Sequence, residues 1–225
     1  MMRVIIFGAS GMVGQGALRE CLLDPQVTEV LSVGRSPLAQ SHAKLRQLTT
    51  PALDDLSALE PQFAGYDACL FCLGISSFGM SEADYRAVTY DLTLAAARPL
   101  ARLNPAMTFI YVSGAGTDSS EQGRSMWARV KGATENALLA LPFRAVMFRP
   151  GAIIPLHGIR SKTRAYHLLY TLFKPLWLGA LRLFPNQVTT TERVGLAMLA
   201  VARRATPLQI IEPAEINRLA LPSST

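Results

Sequence analysis

Short, continuously apolar runs recur along the first 150 residues, and most of them end at glycine, serine or proline. Unbroken apolar runs of this length are typical of strands that are buried on both faces, as in a parallel sheet. They predict five strands, at residues 3–7, 28–33, 67–73, 107–112 and 143–149, and a weaker strand at 44–48.

The segments between these runs repeat apolar residues at helical spacing. They predict helices at residues 12–24, 82–98 and about 123–140, and one short helix within 51–64. Ser81 is the predicted N-cap of the second of these helices, with Asp84 three residues later. Strands that alternate with helices in this way predict an α/β fold with a doubly wound parallel sheet.

The pattern is looser after residue 150. A helix at 191–203 with Thr191 as its cap, a late strand at 208–211 and a last helix at 213–220 are expected there. The length suits a single domain over residues 1–225. We expect residues 1–150 to form its core and residues 151–225 to form a small C-terminal cap on the substrate side.

Residues 164–183 are apolar and contain Pro175. The longest stretch without a charge in this segment is nine residues, 165–173, whereas a membrane-spanning helix needs roughly 20. We therefore expect no integral membrane segment. The favoured interpretation is a lid or wall over an apolar substrate; a homodimer contact and a helix at a membrane surface are the alternatives.

The charge balance, 22 Lys+Arg against 16 Asp+Glu, changes the picture little. The basic residues are scattered and do not interleave with aromatic residues, so we expect no nucleic-acid partner. A solvated surface explains the net charge of +6, and attraction of a polyanionic ligand is the alternative. The odd number of cysteines and the short apolar run before Gly8 predict a cytoplasmic protein.

A glycine-rich turn joins the first predicted strand to the first helix. Its residues are Gly8, Ala9, Ser10, Gly11, Met12, Val13 and Gly14. Gly8 lets the chain turn off the strand, Gly11 lets the backbone approach a pyrophosphate, and Gly14 lets the helix pack close to the sheet. The N-terminus of the helix then offers free N–H groups to the phosphates. The turn predicts a dinucleotide site, with an ordinary glycine-rich turn as the alternative.

The end of the second strand indicates which dinucleotide binds. An acidic residue there would hold the ribose 2′-hydroxyl of NAD, but this chain has Arg35 and Ser36, with Arg35 21 residues after Gly14. A guanidinium pairs with a 2′-phosphate, and the serine hydroxyl can donate to it. We predict NADP(H) in preference to NAD(H); an ordinary surface arginine is the alternative.

Four short motifs add a family resemblance. They are Cys72-Leu73-Gly74, Val112-Ser113, Val130-Lys131-Gly132 and Phe148-Arg149-Pro150-Gly151. With the glycine turn they resemble the atypical short-chain dehydrogenase/reductases, which have a Rossmann fold, and among these the oxidoreductase-like proteins of the Tat-interacting, metastasis-suppressor group. The wider relatives are the NAD-dependent epimerase/dehydratase-like proteins. The resemblance covers about residues 3–155.

The resemblance implies roles for several residues. In the superfamily a Ser polarises the substrate oxygen, a Tyr acts as acid or base, and a Lys four residues later binds the nicotinamide ribose. Ser113 and Lys131 match two of these positions. We expect Leu73, Gly74 and Ile75 to line the nicotinamide side together with Ser113 and Lys131, and Pro150, Gly151, Ala152 and Ile153 to cover it.

The tyrosine position departs from this pattern, because Trp127 stands four residues before Lys131. An indole N–H is a donor only and exchanges no proton at useful pH. Three hypotheses stay open: Lys131 holds the cofactor without redox turnover; another acid such as Tyr85, Tyr90, water or Lys131 itself supplies the proton; or the hydride passes to a quinone or flavin. The expected function is an oxidoreductase or epimerase-type activity on a small apolar carbonyl compound, with a non-catalytic NADP(H)-binding sensor or interaction protein as the alternative.

Cys69 and Cys72 fit the C-x-x-C pattern of redox sites. Both lie in a predicted buried strand, where residues three apart point to opposite faces. We predict that they are core thiols. The three histidines have no metal-ligand spacing, so we expect no metal site.

Overall fold

Seven parallel strands form the central sheet of the protein. The computed structural model describes residues 1–159, 184, 186–203 and 207–221. The strands, in chain order, are β1 (Met2–Phe7), β2 (Val27–Gly34), β3 (Leu45–Thr49), β4 (Ala68–Phe71), β5 (Thr108–Val112), β6 (Arg144–Phe148), β7 (Ala152–Ile154), β8 (Val188–Thr190) and β9 (Ile210–Ile211). The order in the sheet is β3-β2-β1-β4-β5-β6-β9, and β7 pairs with β8 separately. This order confirms the predicted doubly wound sheet.

The core lies on both faces of this sheet. Val4 and Ile6 belong to the hydrophobic cluster on one face, and Ile5 and Phe7 to the cluster on the other. All four side chains are fully buried, which explains why the strand has no polar alternation. The six strands that the sequence predicts within residues 1–150 are all present, with ends that differ by at most a few residues.

Helices cover both faces of the sheet. They are α1 (Met12–Leu23), α2 (Glu82–Arg86), α3 (Leu92–Leu103), α4 (Met126–Leu139), α5 (Thr191–Arg203) and α6 (Pro213–Leu219), with a 3-10 helix at Ser57–Gln62. The predicted cap of α2 is confirmed, since the Ser81 hydroxyl accepts from the Asp84 N–H at 3.2 Å.

A π-helical turn, Ala87–Asp91, joins α2 to α3, so the chain stays helical from Glu82 to Leu103. The predicted end at residue 98 is therefore wrong. Pro99 removes one N–H from the ladder but does not stop the helix. The next turn continues because Leu100 and Ala101 are buried in it.

Helix α4 begins at Met126, three residues later than predicted. The Asp118 carboxylate accepts the Gly123 N–H at 2.6 Å, and Arg129 donates to the Gly123 carbonyl at 2.7 Å. These bonds hold Gly123 in a loop that crosses α4. A Cβ at Gly132 would overlap the Asp118 carbonyl, so this crossing needs a glycine in the helix.

The chain after residue 150 contributes to two parts of the fold. Strand β9 completes the main sheet beside β6, and α5 packs on α1, with an ideal Cβ at Gly16 only 2.5 Å from the Thr191 carbonyl oxygen. The pair β7–β8, which the sequence did not predict, lies outside the main sheet. The substrate-side cap expected over residues 151–225 stays a prediction.

The cap of α5 is a correction to the sequence analysis. The Thr190 hydroxyl accepts from the Arg193 N–H at 3.0 Å, whereas the Thr191 hydroxyl accepts from the Leu156 N–H at 3.1 Å. Thr190 therefore caps α5. The hydrogen bond of Thr191 holds the segment after β7 against the start of this helix.

Within the described ranges, no helix is long and apolar enough to cross a membrane. The apolar segment 164–183, for which a lid, a dimer contact and a membrane-surface helix were the hypotheses, lies outside those ranges.

Candidate functional site

The glycine turn follows β1 at the carboxyl edge of the sheet. Gly8 has φ +80°, and a Cβ there would lie 2.8 Å from the main chain of Cys72 and Leu73. A Cβ at Gly14 would overlap the Gly8 carbonyl oxygen. The Gly11 N–H donates to that same carbonyl at 2.9 Å and closes the turn. Positions 8 and 14 therefore require glycine because a side chain would have no space at either, and position 8 also because of its positive φ.

Helix α1 begins directly at this turn. Its N-cap, Gly11, has no side chain to satisfy the first N–H groups, and its first turn contains no acidic residue. Met12 and Val13 are half-buried, while Ser10 is exposed beside them. This cradle of small residues at a helix N-terminus fits the pyrophosphate of a dinucleotide, because it combines N–H donors with the positive end of the helix dipole.

Arg35 and Ser36 follow β2, the strand beside β1, and both are exposed. The Thr50 N–H donates to the Gly34 carbonyl at 3.0 Å and continues the pairing of β2 with β3 up to this point. Both side chains therefore lie at the edge of the sheet that carries the glycine turn, as the predicted contact with a 2′-phosphate requires.

The chain leaves β4 next to the turn. Leu73 is half-buried, while Gly74 and Ile75 are exposed. Phe78, in the loop between β4 and α2, is 94% exposed. This loop therefore exposes two large apolar side chains after β4, Ile75 and Phe78.

Lys131 points from α4 to the end of β5. Its Nζ donates to the Ser113 carbonyl oxygen at 2.5 Å and lies 6.0 Å from the centre of the Tyr111 ring. Burial lowers the pKa of Lys131 to about 8, and the negative charge of Glu135 opposes this shift. The structure thus brings Ser113 and Lys131 together, as the resemblance implies.

The Ser113 hydroxyl, however, faces into the protein. It donates to Glu135 Oε1 at 2.5 Å, and the Phe148 carbonyl oxygen lies 3.2 Å away. Ser113 is buried, so its hydroxyl has an acceptor inside the fold. The orientation does not fit the role of polarising a substrate oxygen; Ser113 presents its carbonyl, not its hydroxyl, to Lys131.

Glu135 and Arg149 are site residues that sequence reasoning missed. Glu135 Oε1 accepts from Arg149 Nε at 3.1 Å, and Glu135 Oε2 from Arg149 Nη2 at 2.5 Å. The same guanidinium donates to the Ser119 hydroxyl at 2.6 Å. One signal was available: Glu135 lies four residues after Lys131 on one helix, and such residues share a face.

Trp127 lies in the first turn of α4 against the glycines of the loop after β5. An ideal Cβ at Gly114 would be 3.8 Å from its Cζ3 atom, and one at Gly116 would be 3.7 Å from its Cη2 atom. The six-membered ring of the indole therefore covers the main chain of Gly114 and Gly116.

The tyrosines considered as alternative acids are held elsewhere. Tyr85 is buried, and this burial raises its pKa, while a hydrogen bond from Thr89 opposes the shift. The ring of Tyr90 stacks on the Arg86 guanidinium at 4.0 Å. Neither phenol contacts Lys131 in the part of the chain that the structure describes. Among the hypotheses for the acid, these positions favour water or Lys131 itself over the two tyrosines.

The residues after β6 run beside the loop after β5. The Ala115 N–H donates to the Pro150 carbonyl at 2.9 Å. A Cβ at Gly151 would overlap the Gln187 carbonyl, so Gly151 is needed where β7 meets β8. Ala152 is exposed and Ile153 is buried. Their predicted contact with the nicotinamide stays a prediction.

The cysteine prediction is confirmed. Cys69 belongs to the hydrophobic cluster on one face of the sheet, and Cys72 packs against the cluster on the other. Burial raises the pKa of Cys72 to about 12 and that of Cys69 well above its usual value. Thiolates are the reactive form, so the raised pKa values disfavour a redox role for both thiols. Among the described residues, no group of histidine, cysteine and acidic side chains has the arrangement of a metal site.

Comparison with known proteins identifies relatives for this arrangement, although no family model matches the sequence. The protein fmp52 of Emericella nidulans, named as mitochondrial, is 31% identical over 173 residues, 73% of this chain and 71% of that relative. HTATIP2 of Rattus norvegicus is 29% identical over 154 residues, 67% of this chain. The chain spans 62% of the length of HTATIP2.

These relatives are atypical short-chain dehydrogenase/reductases. The chain belongs to this family. The solved structure of WbmF from Bordetella bronchiseptica in complex with NADH is similar to it, with a TM-score of 0.69 and 17% identity over 97% of this chain and 75% of that one. This likeness shows the Rossmann fold.

Within the family, the glycine turn and Lys131 agree with the pattern that the sequence analysis used, and Trp127 and the orientation of Ser113 do not. The predicted cytoplasmic location stays a prediction, because relatives of this chain are named as mitochondrial.

Proposed function

We propose that the protein binds a nicotinamide dinucleotide, NADP(H) in preference to NAD(H), and acts as a short-chain dehydrogenase-like oxidoreductase or epimerase on a small apolar carbonyl compound. The glycine turn carries this proposal. Its closure by the Gly11 N–H, the absence of room for a side chain at Gly14 and the uncapped start of α1 suit a pyrophosphate.

The preference for NADP(H) rests on Arg35 and Ser36. Both are exposed at the end of β2, next to the strand that carries the turn, and neither is an acid that would hold a free ribose 2′-hydroxyl. A planar guanidinium with several donors matches a 2′-phosphate and gains a charge-assisted hydrogen bond from it.

Lys131 would hold the nicotinamide ribose. One of its three N–H donors is used by the Ser113 carbonyl, which fixes the direction of the remaining two. A bound nicotinamide would supply or accept the hydride. Trp127 can donate a hydrogen bond but cannot exchange a proton, and Ser113 turns its hydroxyl away, so the proton comes from water or from Lys131.

The proposed substrate class is supported by apolar side chains of the loop after β4 and by Trp127. Ile75 is 49% exposed and Phe78 lies open beyond it, and the indole of Trp127 covers the loop after β5. Apolar and aromatic surface of this kind favours an apolar carbonyl compound as the substrate. A planar hydride acceptor such as a quinone is the alternative substrate, because its reduction needs no acid at position 127.

The first experiment is a fluorescence titration of the purified chain with NADPH and, in parallel, with NADH. We expect tighter binding of NADPH, and Arg35→Ala should remove the difference. Equal affinity for the two cofactors would overturn the preference. No binding of either would overturn the proposal.

Turnover is tested separately, with a panel of apolar aldehydes, ketones and quinones, by loss of NADPH absorbance. We expect the wild type to reduce a member of this panel, and Trp127→Tyr to gain activity on alcohols with NADP⁺. Turnover of the wild type without any gain in the variant would place the proton transfer elsewhere.

A second candidate is a cofactor-occupied sensor or interaction protein without turnover. The Trp127 indole and the inward hydroxyl of Ser113 favour it, because together they leave the site without the usual proton-handling hydroxyls. NADPH binding by the wild type without oxidation on any panel member would support this candidate, and measurable turnover would exclude it.

A further inference from the structure

A buried ion pair between Glu135 and Arg149 lies beside Lys131. Glu135 is 1% exposed. The Arg149 side chain, which donates two hydrogen bonds to it, is 11% exposed. Taking both charges out of water is costly, and apolar residues of similar size are often as stabilising. Stability alone therefore does not account for an ion pair at this place.

Ser113 connects this ion pair to Lys131. Its hydroxyl donates to Glu135 Oε1, and its carbonyl accepts from Lys131 Nζ, both at 2.5 Å. The main chain of Ser113 is also fixed on β6, since its N–H donates to the Phe148 carbonyl at 2.8 Å. The position of the Lys131 ammonium group thus depends on the Ser113 carbonyl. Glu135 holds the same residue, Ser113, through its hydroxyl on the other side.

Glu135 also acts on Lys131 by charge. The two residues lie one helical turn apart on α4, and the Glu135 carboxylate favours the protonated lysine against the effect of burial. From β5 the Tyr111 ring faces the ammonium, with Tyr85 of α2 beyond it. Arg149 approaches from the end of β6, and its charge is compensated by Glu135 and, at 3.5 Å, by Glu212.

We propose that Glu135, held by Arg149, is the positioning residue for Lys131: it fixes through the Ser113 hydroxyl the carbonyl that receives Nζ, and it places its carboxylate one helical turn from the lysine on α4. The inference rests on the proposed function, since it makes the three residues a support for the group that holds the nicotinamide ribose. It assigns Ser113 to this support and not to contact with the substrate.

The chain offers a matched control. Glu20, on α1, is also a buried helical glutamate, 6% exposed, and pairs with Arg19 at 2.5 Å. It packs against Gly195 of α5 and has no contact with Lys131. Loss of a buried glutamate as such should weaken the fold in both variants, whereas only Glu135 should act on Lys131.

The first test measures Lys131 directly, without any cofactor. The chain contains four lysines, so biosynthetic labelling with lysine carrying ¹³C at Cε gives few NMR signals, and Lys131→Met identifies that of Lys131. In Glu135→Gln, which keeps the size and an acceptor oxygen, we expect the Lys131 pKa to fall by about one unit. In Glu20→Gln it should stay as in the wild type. An unchanged Lys131 pKa in Glu135→Gln would overturn the inference.

The second test removes the hydrogen bond between the Ser113 hydroxyl and Glu135 and keeps the charges of Lys131, Glu135 and Arg149. A fixed Nζ makes the two Hε protons of Lys131 inequivalent, and Ser113→Ala should merge their signals because the carbonyl is no longer held by Glu135. Retention of the wild-type splitting would contradict the positioning role. This variant leaves the ion pair intact and decides the question even where Glu135→Gln does not fold.

NADPH titration of the same samples separates the inference from the proposed function. We expect Ser113→Ala to raise the NADPH Kd about tenfold, the loss of one hydrogen bond to a charged group. If the wild type binds no NADPH while the Lys131 signals respond as expected, the proposed function fails and the positioning role stands. An unchanged Kd in Ser113→Ala, with tight binding by the wild type, would overturn the role in cofactor binding.

Discussion

The two halves of the candidate cleft differ in how they are built. The glycine turn after β1 depends on main chain and on the absence of side chains: Gly8 is in a left-handed conformation, and Gly14 has no room for a Cβ. The corner between β5 and α4 depends on the side chains of Lys131 and Glu135, both on α4, and of Arg149 after β6, joined through Ser113. The first half follows the family pattern and the second departs from it at Trp127. Under the proposed function, cofactor binding and proton transfer are therefore separable requirements on this fold.

The largest effect should come from the turn. In Gly14→Ala the new methyl group overlaps the Gly8 carbonyl, so α1 must move away from the sheet. We expect a loss of stability of about 3 kcal/mol and at least a hundredfold weaker NADPH binding, by analogy with overpacked cores. Thermal unfolding and fluorescence titration measure the two.

Gly34→Ala is the control for this substitution, because its Cβ would meet no atom closer than 3.8 Å. Equal affinity in Gly14→Ala and the wild type would show that the turn does not hold the cofactor.

Arg35→Ala should separate the two cofactors within the first half. We expect NADPH to bind about thirtyfold more weakly, the loss of a charge-assisted contact worth about 2 kcal/mol, and NADH to bind as before. Parallel titrations give the ratio of the two Kd values. Arg98→Ala, an exposed arginine on α3, is the control, and a similar effect there would indicate a general loss of positive charge.

NADPH binding through the second half of the cleft, the corner between β5 and α4, should depend on pH. Burial lowers the pKa of Lys131 to about 8, so its ammonium is charged below that pH and neutral above it. We expect NADPH binding to weaken about fivefold between pH 7 and pH 9, in line with the loss of one partly screened charge. In Lys131→Met binding should be weaker and nearly independent of pH over this range. A wild-type Kd that does not change with pH would contradict the assigned role.

The smallest effect should come from Gly116→Ala. Gly116 has φ +86°, so alanine is strained there, at a cost of about 1 kcal/mol. Its methyl group would approach the Trp127 ring at 3.7 Å and shift the emission of that indole, measured in a Trp177→Phe background. NADPH affinity should change by less than about twofold, since the first half stays intact. A large loss of affinity would show that the two halves are coupled.

Local patterns were sufficient for much of the fold and for the first half of the site. The apolar runs are strands because both of their faces are buried, as Ile5 and Ile6 show. The glycine spacing predicts the turn because its geometry involves neighbours in sequence. Pairings such as that of Gly151 with Gln187 were not predictable, because they depend on chain that returns from far away.

Errors at the ends of elements have the same cause. The start of α4 is set by Asp118, which accepts the Gly123 N–H, and the cap of α5 is Thr190 because Thr191 bonds to Leu156. In each case a hydrogen bond to another segment of the chain decides how the helix begins.

The sequence by itself determined the order of strands and helices over the first 150 residues, the glycine turn, the cation at Lys131 and the replacement at Trp127, because each depends on residue type and on spacing along the chain. Only the tertiary structure decided the direction of the Ser113 hydroxyl. A side chain at the end of a strand can face the cleft or the interior, and the choice depends on which acceptor the fold brings near. Here a helix brings Glu135 and the end of another strand brings Arg149, and their charges balance only in the folded chain.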